Sequence, residues 1–357
     1  MHARRGFLAG LAASALTPSL SWSALGSPAV LSAALSQKGQ HLLVGLATDG
    51  SIVFRVPLPE RGHAAAAHPF VAEAVAIARR PGRFAKVLDC ATGTVVKTLT
   101  VPEDRHFYGH GTFSADGRLL FTTENDTPTG SGRIGVWDRS LNYARIGEFA
   151  SGGIGPHEIL RLPSGALAVA NGGIRTHPDS GREKLNLDTM RANLTLLDEG
   201  GKVLDRAEVA DDMHLNSLRH IAAKPNGDVV CGFQWQGDPF DAPPLVAVYA
   251  GAGTLHPAAF DAGASRQIDG YIGSVSAFGQ NGFAVSAPRG GRVITFNAEG
   301  EQNSSYRALD ACGLARAHDG ETMATDGNGF VYRLTNGHMQ KLQRHRLAFD
   351  NHLVALF

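Results

Sequence analysis

Histidines recur at similar intervals through this 357-residue sequence. Five of them stand at the same point of a repeated phrase: His68, His110, His157, His220 and His318. The sixth such point carries Ser274. Neutral imidazoles bind iron and copper, so histidines that meet in space would form a metal site. The structural alternative is that each imidazole ties its own repeat to the next by hydrogen bonds to loop backbone. The spacing leaves both interpretations open.

Further polar residues lie at equivalent points of the repeats. Glu158 directly follows one of these histidines, and Asp319 follows another. A carboxylate there could act as a metal ligand or a general base. Four other candidates for ligand binding end predicted second strands, where capping of the strand end is the alternative: Glu124, Asn125, Asn171 and Gln234.

One long polar insertion, residues 172–193, interrupts the repeats. Long polar loops in compact repeats are more often functional than decorative. Its cationic side chains could hold an anionic ligand or a partner's carboxylate, unless the loop is only a solvated surface. The candidate ligand-binding residues in this insertion are Arg175, His177, Arg182 and Lys184.

The phrase that carries the histidines reads as strand, tight turn and strand. Asp116-Gly117, Asn226-Gly227 and Asn281-Gly282 are turn dipeptides of β-hairpins, and short apolar runs flank each of them. The repeat distance is 42 to 63 residues when counted between the points named above. Four-stranded propeller blades repeat at about 40–50 residues, so the long intervals need insertions, at 172–193 and near 237–244.

Residues 30–66 form a further unit, which brings the number of units to seven. The sequence ends in an apolar run, Leu353 to Phe357, that could complete the first blade and close the ring. We therefore predict an all-β fold, a seven-bladed β-propeller closed by its C-terminal strand and covering residues 28–357. A pair of β-sandwiches and a parallel β-helix are the alternatives. In the propeller, the histidines and the ends of the second strands would surround one mouth of the channel, at the rim opposite the hairpin turns.

The N-terminal 26 residues have the pattern of a twin-arginine signal peptide. Arg4-Arg5 precedes an apolar stretch, Leu8 to Leu16, and small residues follow up to Gly26. The apolar stretch is too short to span a bilayer. We expect Tat export to the periplasm, cleavage after Ser23 or Gly26, and no integral membrane segment.

Composition excludes several classes of function. Lys+Arg and Asp+Glu both number 33, so the formal net charge of zero argues against a nucleic-acid binder. The three cysteines follow no metal-binding spacing, and we expect buried free thiols. Motifs for a nucleophilic serine, a zinc protease, a phosphate-binding loop and covalent haem do not occur.

Several segments resemble a bacterial family, domain of unknown function 1513. They include His106 to Gly111, Thr122 to Asn125, Ala170 to Asp179, Lys184 to Met190 and Ser217 to His220. The resemblance covers essentially the whole mature chain. It implies a Tat-exported periplasmic propeller of the YVTN/WD-like kind. Genes of this family tend to lie beside imelysin-type iron-regulated proteins and a di-haem oxidoreductase, which implies those partners and a role in iron acquisition.

Two functional hypotheses follow. The first is a periplasmic binding or scaffold protein, a monomer, that holds iron, copper, a haem-like ligand or a partner protein at the histidine-rich mouth. The second is an enzyme that uses the same channel, either a metal-dependent hydrolase or lactonase or a redox enzyme.

Overall fold

The computed structural model describes residues 20–78, 83–181, 183–261 and 263–356. Within them, 28 strands form seven four-stranded antiparallel sheets arranged in a ring. The predicted seven-bladed β-propeller is therefore confirmed. Residues 1–19, which carry the twin arginines and the apolar stretch of the predicted signal, lie outside the described residues.

The first four blades occupy the N-terminal half. Blade 1 contains β1 (Val30–Ser36), β2 (His41–Leu46) and β3 (Ile52–Leu58). Blade 2 contains β4 (Gly62–Ala67), β5 (Glu73–Ala78), β6 (Phe84–Asp89) and β7 (Thr94–Thr100). Blade 3 contains β8 (Arg105–Phe113), β9 (Leu119–Asp126), β10 (Gly132–Asp138) and β11 (Ala144–Ala150). Blade 4 contains β12 (Pro156–Arg161), β13 (Leu167–Asn171), β14 (Asn193–Leu197) and β15 (Val203–Glu208).

The remaining strands complete the ring. Blade 5 contains β16 (Asn216–Ala223), β17 (Val229–Trp235), β18 (Val246–Tyr249) and β19 (Leu255–Pro257). Blade 6 contains β20 (Ser274–Phe278), β21 (Gly282–Ala287), β22 (Arg292–Phe296) and β23 (Gln302–Arg307). Blade 7 contains β24 (Ala311–Arg316), β25 (Thr322–Asp326), β26 (Phe330–Thr335) and β27 (His338–Arg344), and β28 (Leu347–Ala355) follows. A four-residue α-helix, α1 (Ala264–Gln267), and short 3₁₀ turns lie in the connections: Arg139–Leu141, Pro178–Ser180, Leu187–Thr189 and Asp211–Met213.

The C-terminal strand closes the ring, as predicted. β28 pairs antiparallel with β1, so the sheet order of blade 1 is β28-β1-β2-β3 and β28 is its innermost strand. Each of the other blades has its first strand innermost, and these seven inner strands contact one another around the axis. Because the ring is closed in this way, no gap the size of a blade remains at which another chain could pair with the ring.

Side-chain size follows the distance from the axis. β4 carries four consecutive alanines, Ala64 to Ala67, because little space is left where seven sheets converge. Larger apolar side chains fill the widening space between blades, for example Phe121, Phe283 and Phe296. In the outermost strands, the side chains alternate between buried and exposed or mostly face solvent, as in β7, where Val95 and Val96 are exposed. Burial on both faces therefore fixes the inner strands that carry the candidate site.

Two of the three predicted dipeptide turns between first and second strands have the predicted chemistry, whereas Gly282 of Asn281-Gly282 begins β21 and has no positive φ. Gly117, Gly165 and Gly227 have positive φ in the turns that join β8 to β9, β12 to β13 and β16 to β17. Glycine takes this conformation without steric cost, which explains its high content at these positions. The sequence Arg80-Pro81-Gly82 also predicts a turn, and these residues lie outside the described residues.

Two boundaries of the repeats differ from the sequence-based prediction. The second blade begins at Gly62, so β4 falls inside the unit 30–66 that we assigned to the first blade. The reason is that the first blade takes its fourth strand from the C-terminus and needs only three of its own. The long connections lie where insertions were expected, between β13 and β14 and between β17 and β18.

A segment before the first strand packs onto the ring. Trp22 is buried against blades 1 and 2, where it stacks on Phe54 and donates its indole N–H to the His68 carbonyl (2.8 Å). Within the described chain, the helices are too short to cross a membrane. Cys90, Cys231 and Cys312 are buried free thiols, as expected.

Candidate metal centre

Five histidine side chains meet at the axis of the ring. Their closest ring centroids are 4.6 to 5.5 Å apart. They come from the inner strands of blades 2, 3, 4, 5 and 1, respectively: His63, His110, His157, His220 and His352. We call these five residues the histidine cluster.

Irregular strand pairing accounts for the direction of these side chains. In a regular strand, side chains point alternately to the two faces of the blade, and only the main-chain edge faces the channel. The pairing of each of these inner strands with its neighbour shifts register at or beside the histidine. Such a shift re-aims a side chain. The shift takes the imidazoles out of the regular two-face alternation of side chains and points them toward the axis.

Three members of the cluster have the arrangement of a metal site. One nitrogen from each of His63, His110 and His352 lies within 4.8 Å of the others, and all three residues are buried. Ligands about 2.1 Å from a tetrahedral metal would be about 3.4 Å apart, so small side-chain rotations would bring these nitrogens to bonding distance. Imidazole donors suit iron, copper, zinc and nickel.

A carboxyl group completes the cluster. Glu158 Oε1 lies 3.9 Å from His110 Nδ1, and Oε2 lies 3.4 Å from His220 Nδ1. Oε2 also accepts the main-chain N–H of Ile221 at 3.1 Å. Burial raises the pKa of Glu158 to about 7, against the smaller lowering effects of His352 and the Ile221 amide. This carboxyl can therefore exchange a proton near neutral pH.

Three of these imidazoles, those of His110, His157 and His220, are held neutral. Burial is the largest cause that lowers the pKa of His110 and His157 well below the ordinary value, and neighbouring histidines add to it. Burial, followed by Arg219, lowers the pKa of His220 to about 3. Two buried imidazole nitrogens, His110 Nε2 and His157 Nδ1, have no hydrogen-bond partner among the described residues, and His220 Nδ1 has the Glu158 carboxyl group nearby at 3.4 Å. Unprotonated nitrogens with free lone pairs are what metal binding requires.

The cluster forms the inner end of a cavity of about 440 Å³. His110, His352 and Glu158 line this end, and Ser114, Pro163 and other residues of the first-to-second-strand turns line the other. The cavity therefore reaches the hairpin-turn face of the ring. We had expected the histidines to surround an open mouth at the opposite rim, whereas they lie inside the channel.

Comparison with known proteins assigns the family. The profile of the family described as "Protein of unknown function (DUF1513)" matches residues 56–356. The chain belongs to this family. No curated protein matches the sequence significantly.

Solved structures share the fold of this DUF1513 chain at low sequence identity. A chain of the Kuenenia stuttgartiensis hydrazine synthase is 13% identical with a TM-score of 0.58, over 94% of this chain and 99% of that one. A chain in a crystal structure of the mitotic checkpoint complex is 12% identical with a TM-score of 0.54, over 78% of this chain and 75% of that one. Identity this low shows a common propeller fold and nothing about ligands.

The structure does not bring His68 and His318 into the cluster. His68 lies just after β4, where its Nδ1 accepts the N–H groups of Phe70 and Val71, both at 3.1 Å. These bonds lie within the turn of its own blade, so they give His68 a structural role but do not by themselves tie that blade to the next. His318 is exposed in the turn that follows β24. Of the five predicted histidines, only His110, His157 and His220 reach the axis.

The two histidines that sequence reasoning missed had a detectable signal. His110 and His220 precede their hairpin glycines, Gly117 and Gly227, by seven residues. A count of seven residues back from the turn after β4 reaches His63 and not His68. The same rule excludes His318 from the predicted cluster, because His318 is only two residues from Gly320. His352 has no hairpin after it, so only the closing role of β28 reveals it.

The residues predicted at the ends of second strands form their hydrogen bonds mostly within their own blades. Glu124 accepts bonds from Thr122 Oγ1 (2.8 Å) and Arg145 Nη2 (2.7 Å). Asn171 bonds Ser151, Asn193 and Thr195 in blade 4. Gln234 donates to the Ile272 carbonyl at 3.3 Å. These bonds correspond to the capping alternative, and they place none of these residues in the cluster.

Asn125 and the insertion residues also lie apart from the cluster. Asn125 is buried with no hydrogen-bond partner for its amide among the described residues. Arg175 and Lys184 are exposed, and His177 Nδ1 accepts the Asp179 N–H to cap a 3₁₀ turn. Arg182 lies outside the described residues. Of the eight predicted ligand-binding residues that the structure describes, Glu158 is the one that contacts the cluster.

Proposed function

We propose that this chain is a periplasmic metal-binding propeller of an iron-acquisition system, and that the histidine cluster holds one iron or copper ion. The supporting observation is the convergence of five imidazoles on the axis, three of which bring one nitrogen each within 4.8 Å of the others, together with nitrogens of His110 and His157 that have no hydrogen-bond partner among the described residues. Burying polar nitrogens without partners costs stability. Binding a metal ion would repay that cost.

Metal analysis tests this proposal. Protein purified from the periplasm should contain about one equivalent of iron or copper, or take it up on titration. The double substitution His110→Ala/His352→Ala should reduce the content below about a tenth of an equivalent, since it removes two of three ligands. His318→Ala is the matched control, because it removes an exposed histidine outside the cluster. Wild-type protein without metal before and after titration would refute the proposal.

The iron-uptake context and the export route form a separate part of the proposal. The proposed partners are imelysin-type proteins and a di-haem oxidoreductase, and their support is the gene neighbourhood of the family. Substitution of Arg4 and Arg5 by lysine should retain the protein in the cytoplasm, as fractionation and immunoblotting would show. Unchanged periplasmic accumulation would argue against Tat export.

A second candidate function is a metal-dependent hydrolase or redox enzyme at the same site. Glu158 favours the hydrolase, because a carboxyl group with a pKa of about 7 beside candidate metal ligands can act as a general base. A panel of esters and lactones with added Ca²⁺, Mn²⁺ or Zn²⁺ tests this function. Turnover that Glu158→Gln lowers by about 10²–10⁴-fold, with metal content unchanged, would favour the enzyme. No turnover across the panel would leave the binding function preferred.

A further inference from the structure

The cavity beyond the histidine cluster is far larger than a metal ion needs. Its volume is about 440 Å³, and a water molecule in the liquid takes about 30 Å³. Pockets for small organic ligands occupy about 300–1,000 Å³. The cavity can therefore hold an organic molecule next to a metal on the cluster.

The walls of the cavity present main-chain polar groups between small, mostly apolar side chains. The inner strands are the terminal strands of their sheets, so each turns one main-chain edge toward the axis. The bond from the Ile221 N–H to Glu158 Oε2 shows that this edge can donate to a carboxyl oxygen in the channel. Small side chains such as Ala64, Ala222 and Ala277 leave the edge accessible.

The charge of the cavity selects an anion. Its lining contains one acidic side chain, Glu158, which lies at the inner end, and three cationic ones, Arg161, Lys224 and Arg316. Asp228 pairs with Lys224 at 3.1 Å. Arg161 and Arg316, in contrast, have no carboxylate at ion-pair distance among the described residues, and the Arg316 Nε–H donates to the Gly320 carbonyl at 3.2 Å. Two guanidinium groups are thus available near the opening.

We propose that the cavity binds a small polycarboxylate chelate of the metal, with its carboxylates at Arg161 and Arg316 and its metal facing the histidine cluster. This inference rests on the proposed metal function. Guanidinium groups bind carboxylates through paired, charge-assisted hydrogen bonds. The inner-edge N–H groups would hold the remaining carboxylate oxygens. The ligand enters from the hairpin-turn face, since the cavity reaches that face.

Equilibrium dialysis with radiolabelled citrate and Cu²⁺ tests the inference. Metal-loaded wild-type protein should retain both metal and citrate. Arg161→Gln/Arg316→Gln should weaken citrate retention by about tenfold or more and leave metal retention in citrate-free buffer unchanged. Lys38→Gln/Arg55→Gln is the matched control, because it removes the same charge from exposed positions outside the cavity. This control should retain citrate as the wild type does.

The outcomes separate this inference from the proposed function. Three results would each overturn the chelate site and leave the metal site unaffected. The wild-type protein could retain the metal but no citrate, citrate could remove the metal from the protein, or the arginine variant could retain as much citrate as the wild type. Citrate retained equally without metal would also overturn it, because the ligand would then not be a chelate. Failure to retain metal even in citrate-free buffer would overturn both.

Discussion

The role of each histidine depends on its position relative to a register shift. His63 and His68 are five residues apart, yet the first points into the channel and the second caps the turn after β4. The shift at Gly62/Ala64 turns only the first toward the axis. A repeated residue type therefore identifies a site only together with the register shift beside it, since His157 lies eight residues before Gly165 and still joins the cluster.

The turn histidine leads to a pH-dependent prediction. Burial, followed by Arg139, lowers the pKa of His68 to about 4. A lowered histidine pKa means that the unfolded chain binds more protons, so this contribution to stability is complete above pH 6.5 and is lost as the pH falls toward 4. We expect it to be at most about 2 kcal/mol, less than the full shift implies, because the turn lies near solvent.

His68→Asn tests this prediction. The asparagine Oδ1 can accept the same Phe70 and Val71 N–H groups but does not titrate. Denaturant unfolding at pH 7 should give similar free energies for the two proteins, and the variant should lose less stability between pH 6.5 and 4. Identical pH profiles would contradict the assignment.

Glu124 illustrates a buried charge with a structural role. Removing its partner by Arg145→Met would leave the buried carboxyl without its cation, and we expect a loss of about 3 kcal/mol in the free energy of unfolding. Glu124→Gln/Arg145→Met should recover part of this loss, since no uncompensated charge remains. If the single variant is as stable as the wild type, the ion pair does not support blade 3.

At the scale of strands and loops, the sequence predicted more of the fold than of the site. Apolar runs around Asp-Gly and Asn-Gly dipeptides located hairpins, because these turns need glycine at positive φ. The register shifts were not predictable, since they have no fixed residue signature. Position in the repeat and the closing role of β28 can identify His63 and His352, but neither the direction of their side chains nor the entry of the cavity from the hairpin-turn face was predictable.

The segment before β1 gives a prediction about the uncleaved chain. Trp22→Ala should lower the free energy of unfolding by about 3–5 kcal/mol, because it removes a large buried side chain and its bond to the His68 carbonyl. Leu20→Ala, at an exposed position in the same segment, should change it by less than about 0.5 kcal/mol.

The same experiment locates the cleavage of the predicted signal. Mass spectrometry of the periplasmic protein gives its first residue. A chain that begins after Ser23 or Gly26 would lack Trp22, and the substitution would then leave the stability of the mature protein unchanged.

For the whole molecule, closure by β28 links stability to the site. β28 supplies the inner strand of blade 1 and also His352. Truncation before Leu347 should therefore abolish the compact monomer, because β1 would expose its edge to water and to other chains. Light scattering coupled to gel filtration should show aggregates or dimers, and a synthetic peptide of residues 347–357 should restore the monomer. A compact, cooperatively unfolding monomer without the peptide would contradict this role.

Ring closure was predictable from the sequence, because the apolar run Leu353 to Phe357 lies beyond the last complete unit and can pair with the first blade. The asymmetry of the site was only partly predictable. Ser274 replaces a histidine in blade 6, where its hydroxyl lies 3.5 Å from the Leu314 carbonyl and bridges blades 6 and 7. Cys312 occupies the register shift of blade 7. The cluster therefore draws on five consecutive blades around the ring, from blade 1 to blade 5.

Anomalous diffraction from a crystal grown with iron or copper tests the central claim most directly. Data collected on both sides of the metal absorption edge should show one strong peak on the axis, about 2 Å from nitrogens of His63, His110 and His352. The peak should be absent in His110→Ala/His352→Ala and present in His318→Ala. A wild-type channel without a peak, or a metal bound only at surface histidines, would contradict the account.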